Sequence, residues 1–381
     1  MLLYELYTSQ PDGESKFHGG GEYGKKVFEE CVEQSNGVGI SVCFDVDAFL
    51  DEWLLDLIAR YSIPTYDVKS YSDIKRLIKS GKFKKIYSPM PYWIDQSYRV
   101  PEVILSGTVH GLRSIECPDD RYSLCETNLR GKIKRIVDRL FLSAIVKRRI
   151  GKMANVLNAL DEIFTVSNHS RFAIENEFGD NLGIDVFYSP EKRKIVTDAE
   201  PISNNPIHNT PYILMIGCNR WEKNAHRGVL ALDNLFSKGH LKQYKVICCG
   251  AESTKLLSRI NNREKFLSLG YVEIEELEYL YENCTIFLYP TLNEGFGYPP
   301  LEAMAYGKTC VVSGTCSLPE ICGNAVYYIN PYNVREIETR VLEAVKNPIS
   351  NNMINNQLRL IRKKQNEDLV AVANKIIWEA L

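Results

Sequence analysis

Two glutamates eight positions apart, Glu294 and Glu302, flank the run Gly295-Phe-Gly-Tyr-Pro-Pro300. A carboxylate accepts two hydroxyl donors, so each suits a vicinal diol. Gly295 and Gly297 let the backbone approach a ligand closely. Pro299 and Pro300 suit a first helical turn, where a missing N–H costs little. The exposed N–H groups of such a turn, with the helix dipole, form an anion site, and phosphate is the obvious guest. Phosphate beside sugar-holding carboxylates describes a nucleotide-sugar pocket. On spacing alone, a helix N-terminus followed by a solvated glutamate explains the same residues.

Three other patterns compete. Gly19, Gly21 and Gly24 spell G-x-G-x-x-G, with Asp45 about twenty residues on, which is a dinucleotide fingerprint. A nicotinamide-dependent oxidoreductase is therefore a minor alternative, because a dozen polar residues separate these glycines from the first strand. Asp45-Val46-Asp47 spells a D-x-D metal motif, but Asp47 reads better as the N-cap of a helix over Ala48–Arg60. The six histidines show no ligand spacing, and no metal is expected. The last pattern is Arg130–Lys152, with nine basic residues against Asp138 alone. Ile133, Ile136, Val137, Leu140, Phe141, Ala144 and Ile145 recur there at helical spacing. The ordinary reading is a core helix with a solvated basic face. The other is a surface resting on anionic lipid headgroups.

The elements that must position these residues alternate in type. Strands are expected at Leu2–Tyr7, Gly39–Phe44, Ile86–Ser88, Val103–Ser106 and Ile163–Val166, and again at Tyr212–Ile216, Lys245–Cys249, Ile286–Tyr289, Thr309–Val312 and Ala325–Ile329. Helical patterns lie between them, including Val46–Arg60, Lys132–Leu160, Arg227–Phe236, Ile274–Tyr281 and Leu301–Tyr306. Such alternation means βαβ units and parallel sheets. Thr197–Thr210, with two prolines and three asparagines, reads as a linker between two such series.

At 381 residues the chain is too long for one ordinary domain. Lys plus Arg is 46 against 48 for Asp plus Glu, so no global field draws in nucleic acid. Eleven cysteines without a C-x-x-C pair fit buried thiols in a reducing, cytoplasmic compartment. Neither a signal peptide nor a membrane span is expected.

The whole segment Tyr289–Pro331 resembles the donor-binding signature of retaining GT-B glycosyltransferases of family four, the group 1 glycosyltransferases. Glu294 and Glu302, within EGFGYPPLEAMAYG, match the family's E-x7-E pattern. Ile213–Gly217, followed by Arg220 and Lys223-Asn224, is similar to its first C-terminal strand and phosphate-binding basic residues, although Cys218 stands where an arginine is commoner. The stretch from Leu269–Val272, with Tyr271 and Val272, through Glu276-Leu277 to Leu280-Tyr281 is similar to the part that brackets the base. Gly19–Gly24, with Gly19, Gly20 and Gly21, resembles the glycine-rich loop facing the donor diphosphate. Val109–Arg113 resembles the H-D-L segment whose histidine lies near the transferred sugar, with Gly111 in place of the aspartate.

The resemblance implies two Rossmann-like domains facing each other across a cleft. Their expected bounds are 1–196 and 211–362, with a linker at 197–210 and a C-terminal helix at 363–381 crossing back to the first domain. It also implies transfer of a sugar from a nucleoside diphosphate sugar to a hydroxyl of a glycan or lipid-linked glycan, with retention and with neither metal nor further cofactor. Lys223 and Arg220 would meet the leaving diphosphate, helped by the Phe296, Gly297 and Gly19–Gly21 N–H groups. Glu302 would hold the ribose, while Glu294 and His110 would hold the transferred sugar. Mannosyl- and rhamnosyl-type relatives look closest, which slightly favours GDP-mannose. The implied location is the cytoplasm or the cytoplasmic face of a membrane. A non-catalytic subunit that keeps the nucleotide-sugar pocket is the alternative.

Overall fold

The computed structural model describes residues 1–11, 18–125, 129–192, 210–250 and 256–378. Two compact units emerge. Unit one comprises Met1–Leu112, Lys147–Lys194 and Arg362–Leu381, and unit two comprises Arg113–Val146 and Ile195–Ile361.

Unit one is built on a seven-stranded sheet: β1 (Leu2–Glu5), β2 (Ile40–Phe44), β3 (Thr65–Asp67), β4 (Lys85–Ser88), β5 (Ile104–Val109), β6 (Glu162–Thr165) and β7 (Ile184–Val186). The order is β3-β2-β1-β4-β5-β6-β7 and the pairs are parallel. Unit two repeats the plan with β8 (Tyr212–Met215), β9 (Lys245–Cys249), β10 (Phe266–Leu269), β11 (Ile286–Tyr289), β12 (Thr309–Ser313) and β13 (Tyr327–Ile329). Its order is β10-β9-β8-β11-β12-β13, again parallel. Each sheet therefore reverses direction once, between β1 and β4 and between β8 and β11. Ligands of open α/β sheets bind at the strand C-terminal ends at such a reversal.

The near-continuous apolar strands follow from burial on both faces. In unit two, Ile213, Val246, Leu288 and Val311 meet Val229 and Leu232 of the helix Ala225–Ser237 and Ile337 and Val341 of the helix Val334–Lys346. Each such side chain contributes about 1.5–3 kcal/mol by leaving water.

Several expectations are corrected. Gly19–Gly21 form no loop, because they open the 17-residue helix Gly19–Ser35. The helix expected from Val46 starts at Glu52 with Asp51 at its N-cap. Asp47 instead accepts from Lys69 Nζ at 2.6 Å, which also bonds Asp45 and lies 3.2 Å from Asp67. An ammonium group thus occupies the D-x-D triplet. The basic stretch divides into the helices Leu129–Leu140 and Leu142–Ala159. The expected core face of the first, from Ile133 to Phe141, is exposed, because Arg139 holds the helix through Asp119 and Arg135 through the Trp221 ring. Strands β3, β7 and β10 escaped notice because each is a short sheet-edge strand whose Thr, Asp or Ser interrupts the apolar run. The linker 197–210 lies outside the described residues except for Thr210.

The first domain was expected to hold residues 1–196 unbroken, yet Arg113–Val146 groups with unit two. The physical reason is a buried ion pair. Arg227 donates to both carboxylate oxygens of Asp120, at 3.0 and 2.9 Å, and its guanidinium lies between the rings of Tyr122 and Tyr332. The final helix is also longer than expected, Asn351–Trp378, and its part from Arg362 groups with unit one. There Lys85 Nζ donates to the Lys375 carbonyl at 2.9 Å, and Asp368 accepts from the Tyr188 N–H at 2.8 Å.

Candidate functional site

In unit two the polar groups gather where the strand order reverses. After β8 the chain turns at Gly217, whose φ of 65° favours glycine, and enters a short 3-10 turn at Trp221–Lys223. A Cβ on Gly217 would stand 3.2 Å from Lys223 Cγ, so the glycine makes room for the lysine stem. Asn224, buried and left-handed, donates to the Pro290 and Pro331 carbonyls, both at 2.8 Å. It therefore ties the loop after β8 to the loop after β11.

That second loop carries Glu294. Lys223 Nζ forms an ion pair with Glu294 Oε1 and donates to the Tyr289 hydroxyl at 2.6 Å. The Tyr289 hydroxyl in turn donates to Glu294 Oε1 at 2.7 Å, and Thr291 Oγ1 donates to the same oxygen at 2.9 Å. Among the described residues all three donors act on Oε1, so Oε2 is the oxygen left to take a substrate hydroxyl. Burial works to raise the Glu294 pKa, but the charge and hydrogen bond of Lys223 hold it below the usual carboxylate value. Burial draws the Lys223 ammonium down to about 8 against the pull of Glu294, and Arg220 pushes the same way as burial. Tyr289 stays a protonated donor because burial, then the Glu294 charge, pushes its phenol well up.

Arg220 and Arg113 both reach Glu222, through contacts of 3.4 and 2.9 Å. Three cations, Arg113, Arg220 and Lys223, thus surround two carboxylates, Glu222 and Glu294, for a net charge of +1. Such a site is suited to a diphosphate.

The helix after the loop, Tyr298–Ala305, begins at Gly297, whose φ is 114° and whose Cβ would press against Leu318 Cδ2 at 2.6 Å. Pro299 and Pro300 sit in its first turn. Phe296 is buried, and Ser317 Oγ pins the carbonyls of Glu294 and Phe296 at 3.0 and 2.7 Å. Glu302, one turn in, accepts from the Tyr281 hydroxyl at 3.0 Å. Tyr271 and Val272 follow β10, and Tyr271 is exposed.

Unit one presents a different set at its own reversal. His110 follows β5, and its Nε2 donates to the Pro89 carbonyl after β4 at 2.8 Å. Burial holds its pKa at about 4, so the ring is neutral and Nδ1 is an acceptor. The ring of Tyr23, from the glycine-led helix, meets His110 edge-on at 4.8 Å. Gly111 has a φ of 125°, a conformation an aspartate would adopt only under strain. The glycines of the helix are packing residues, since a Cβ on Gly24 would lie 2.4 Å from Ser9 Oγ and 2.8 Å from Pro89. The G-x-G-x-x-G pattern is thus helical, and the strand-to-helix turn of a dinucleotide site is absent from it. His18 caps this helix by accepting from the Gly21 N–H through Nδ1 at 3.0 Å.

Tyr289, Thr291, Tyr281, Asn224 and Ser317 received no role of their own in the sequence reading. All five lie in the quoted motifs, but a strand-end tyrosine or a loop threonine carries no signal until its partner is known.

Two parallel, singly reversed α/β units define the GT-B class of folds. Sucrose-phosphate synthase from Thermosynechococcus elongatus is similar over 99% of this chain and 98% of its own, with 13% identity and a TM-score of 0.67. Anabaena HepE in complex with UDP-glucose is similar over 99% and 98%, with 13% identity and a TM-score of 0.64. In sequence, residues 197–361 match the model for glycosyl transferases group 1. O-antigen chain mannosyltransferase B of Escherichia coli is 31% identical over 211 residues, which are 50% of this chain and 53% of that protein. O-antigen chain mannosyltransferase RfbU of Salmonella typhimurium is 25% identical over 252 residues, 65% and 63% of the two chains. The chain thus spans about half the length of the first relative and under two thirds of the second.

Proposed function

We propose that the chain is a glycosyltransferase that moves a sugar, mannose from GDP-mannose in the favoured reading, onto a hydroxyl of a glycan or lipid-linked glycan. The products would be polysaccharide or glycoconjugate chains. The observation that carries the reading is the Lys223–Glu294 pair at the β8/β11 reversal, inside the segment matched to group 1 glycosyl transferases. Both mannosyltransferase relatives support the sugar.

In the reaction the bond from the anomeric carbon to the diphosphate oxygen breaks, and its electron pair leaves with the diphosphate. The acceptor oxygen bonds to the same face of that carbon, which retains configuration, and its proton passes to the diphosphate. Charge growing on the leaving group needs fixed cations and backbone donors when no metal serves. Arg220 and Lys223 fill that role, with the N–H groups of the loop around Gly297. Glu294 Oε2 takes a hydroxyl of the transferred sugar, Glu302 takes the ribose, and neutral His110 accepts a sugar hydroxyl through Nδ1. All eleven cysteines are free thiols, which supports a cytoplasmic setting.

The test is slow release of nucleoside diphosphate from GDP-mannose, UDP-glucose and dTDP-rhamnose in EDTA. Release from one donor, with that nucleotide adding about 2.7 kcal/mol of stability at one hundred times its dissociation constant, is expected. No release and no stabilisation by any nucleotide would refute the reading. Loss in EDTA restored by manganese would refute the metal-free mechanism alone.

A further inference from the structure

Unit one carries a row of aromatic rings at its strand C-terminal ends that the proposed reaction leaves unused. Tyr7 follows β1, Tyr71 opens the helix Tyr71–Ile78 beyond β3, and Trp93 lies on the chain after β4. Tyr71 stacks on Trp93 at 5.2 Å with the ring planes 13° apart, and Tyr7 meets Tyr71 edge-on at 5.4 Å. Beside Trp93, the Tyr92 hydroxyl accepts from the His110 N–H at 3.0 Å, so the row reaches the histidine assigned to the transferred sugar. The segments after β3 and β5, which carry Tyr71 and His110, stand four strands apart in the order β3-β2-β1-β4-β5, about 19 Å at ordinary strand spacing. Aromatic side chains fill that interval.

A single exposed ring is ordinary, but a contiguous row marks a binding surface. Tyr71 and Tyr92 keep 42% and 45% of their surface exposed despite these contacts. The loops beneath them are fastened together. Buried Glu5 accepts from the Thr8 N–H at 2.5 Å and from Ser88 Oγ at 2.7 Å, which ties the turn of Tyr7 to the end of β4. The Tyr7 hydroxyl donates to the Lys69 carbonyl at 3.2 Å, two positions before Tyr71. The rings are thus ordered in advance, which lowers the entropy lost on binding. Beside them Lys69 is surrounded by Asp45, Asp47 and Asp67, one cation against three carboxylates for a net charge of -2.

We propose that this row is a subsite for a neutral glycan, holding sugars of the acceptor that lie behind the hydroxyl that reacts. A pyranose offers C–H faces that stack on aromatic rings and a rim of hydroxyls that donate to carboxylates. Both demands are met here. A phosphate or other anion meets a net negative charge, and an apolar peptide would leave the carboxylates without donors. An extended glycan can touch Tyr92 and Tyr71 together, whereas a single sugar is too short. The proposal rests on the glycosyltransferase reading and places part of its acceptor.

The test is calorimetry on the full chain with neutral tetrasaccharides of mannose, of glucose and of N-acetylglucosamine, each beside its methyl glycoside. At least one tetrasaccharide should bind tenfold or more tightly than its methyl glycoside, on the order of one aromatic contact. Tyr71→Ala should weaken that binding about tenfold, while Tyr71→Phe, which keeps the ring, should stay within about threefold. In the parent, binding should shift tryptophan emission, and Trp93→Phe should lose the shift. No binding by any of the three tetrasaccharides overturns the proposal, as does parent affinity in a folded Tyr71→Ala. Equal binding of tetragalacturonate overturns it as well, because an anion should be turned away. Donor release with no tetrasaccharide bound refutes the subsite alone, and a bound tetrasaccharide with no donor release refutes the glycosyltransferase reading alone.

Discussion

The two strand-order reversals share one architecture and differ in charge. At β8/β11 the groups are ionised: Lys223 and Glu294 form a buried pair braced by two hydroxyls, with Arg220 and Arg113 beside it. Beside β1/β4, after β5, stands a neutral imidazole whose proton is committed to the Pro89 carbonyl, and Glu5 at the end of β1, which accepts from Ser88 of β4, is pushed up to about 7 by burial. The first arrangement suits a charged diphosphate, and the second suits neutral hydroxyls. One fold serves two chemistries because the loops after the strands, not the sheets, carry the polar groups.

The strongest challenge to this contrast is Glu294→Gln, which keeps the shape and leaves Lys223 charged without its counterion. Donor turnover should fall by roughly 10²–10³, about 2.7–4 kcal/mol in the barrier. Turnover within tenfold of the parent would remove Glu294 from the mechanism. The pH profile of the parent enzyme bears on the same pair. With Lys223 held near 8, kcat/KM should decline above about pH 8 as the ammonium is lost.

Acidification should separate the two reversals. The folded pKa of His110 lies below the ordinary 6.5, so its contribution to stability is full above pH 6.5 and is lost as pH falls toward 4. The loss is about 3 kcal/mol at most. Glu294, depressed below 4.5, gives a contribution that is full above that value and lost only below it. Between pH 7 and pH 5 the urea midpoint should therefore lose more in the parent than in His110→Asn, whose amide still donates to Pro89, because Glu5, raised to about 7, and His226, lowered to about 4, titrate alike in both proteins. Equal slopes in both proteins would rule out His110 as the group that titrates.

Glu302→Ala should weaken nucleotide-sugar binding by about 1–3 kcal/mol through unpaired ribose hydroxyls. Calorimetry showing the parent affinity in a folded variant would sink the assignment. The smallest effect belongs to the tyrosines. Tyr281→Phe removes the bond to Glu302 and should cost about 0.5–1.5 kcal/mol of donor affinity. Tyr289→Phe should leave donor affinity nearly intact and shift the alkaline limb of the kcat/KM profile, since one partner of Lys223 is gone. An unshifted limb would make Tyr289 a packing residue only.

The alternation of apolar runs with amphipathic ones determined a parallel α/β chain in two series, because period-two and period-3.6 patterns are local and survive without partners. The run from Glu294 to Glu302 was legible for the same reason: its glycines and prolines prescribe a turn into a helix in any setting. The Lys223–Glu294 pair was not, since the two residues are 71 positions apart and meet only because β8 lies beside β11. The allegiance of Arg113–Val146 likewise rests on Asp120 and Arg227, which are 107 positions apart. Helical spacing revealed an apolar stripe from Ile133 to Phe141, but spacing says only that a face exists. Which way that face points was decided by the arginine contacts to Asp119 and Trp221, and those exist only in the folded chain.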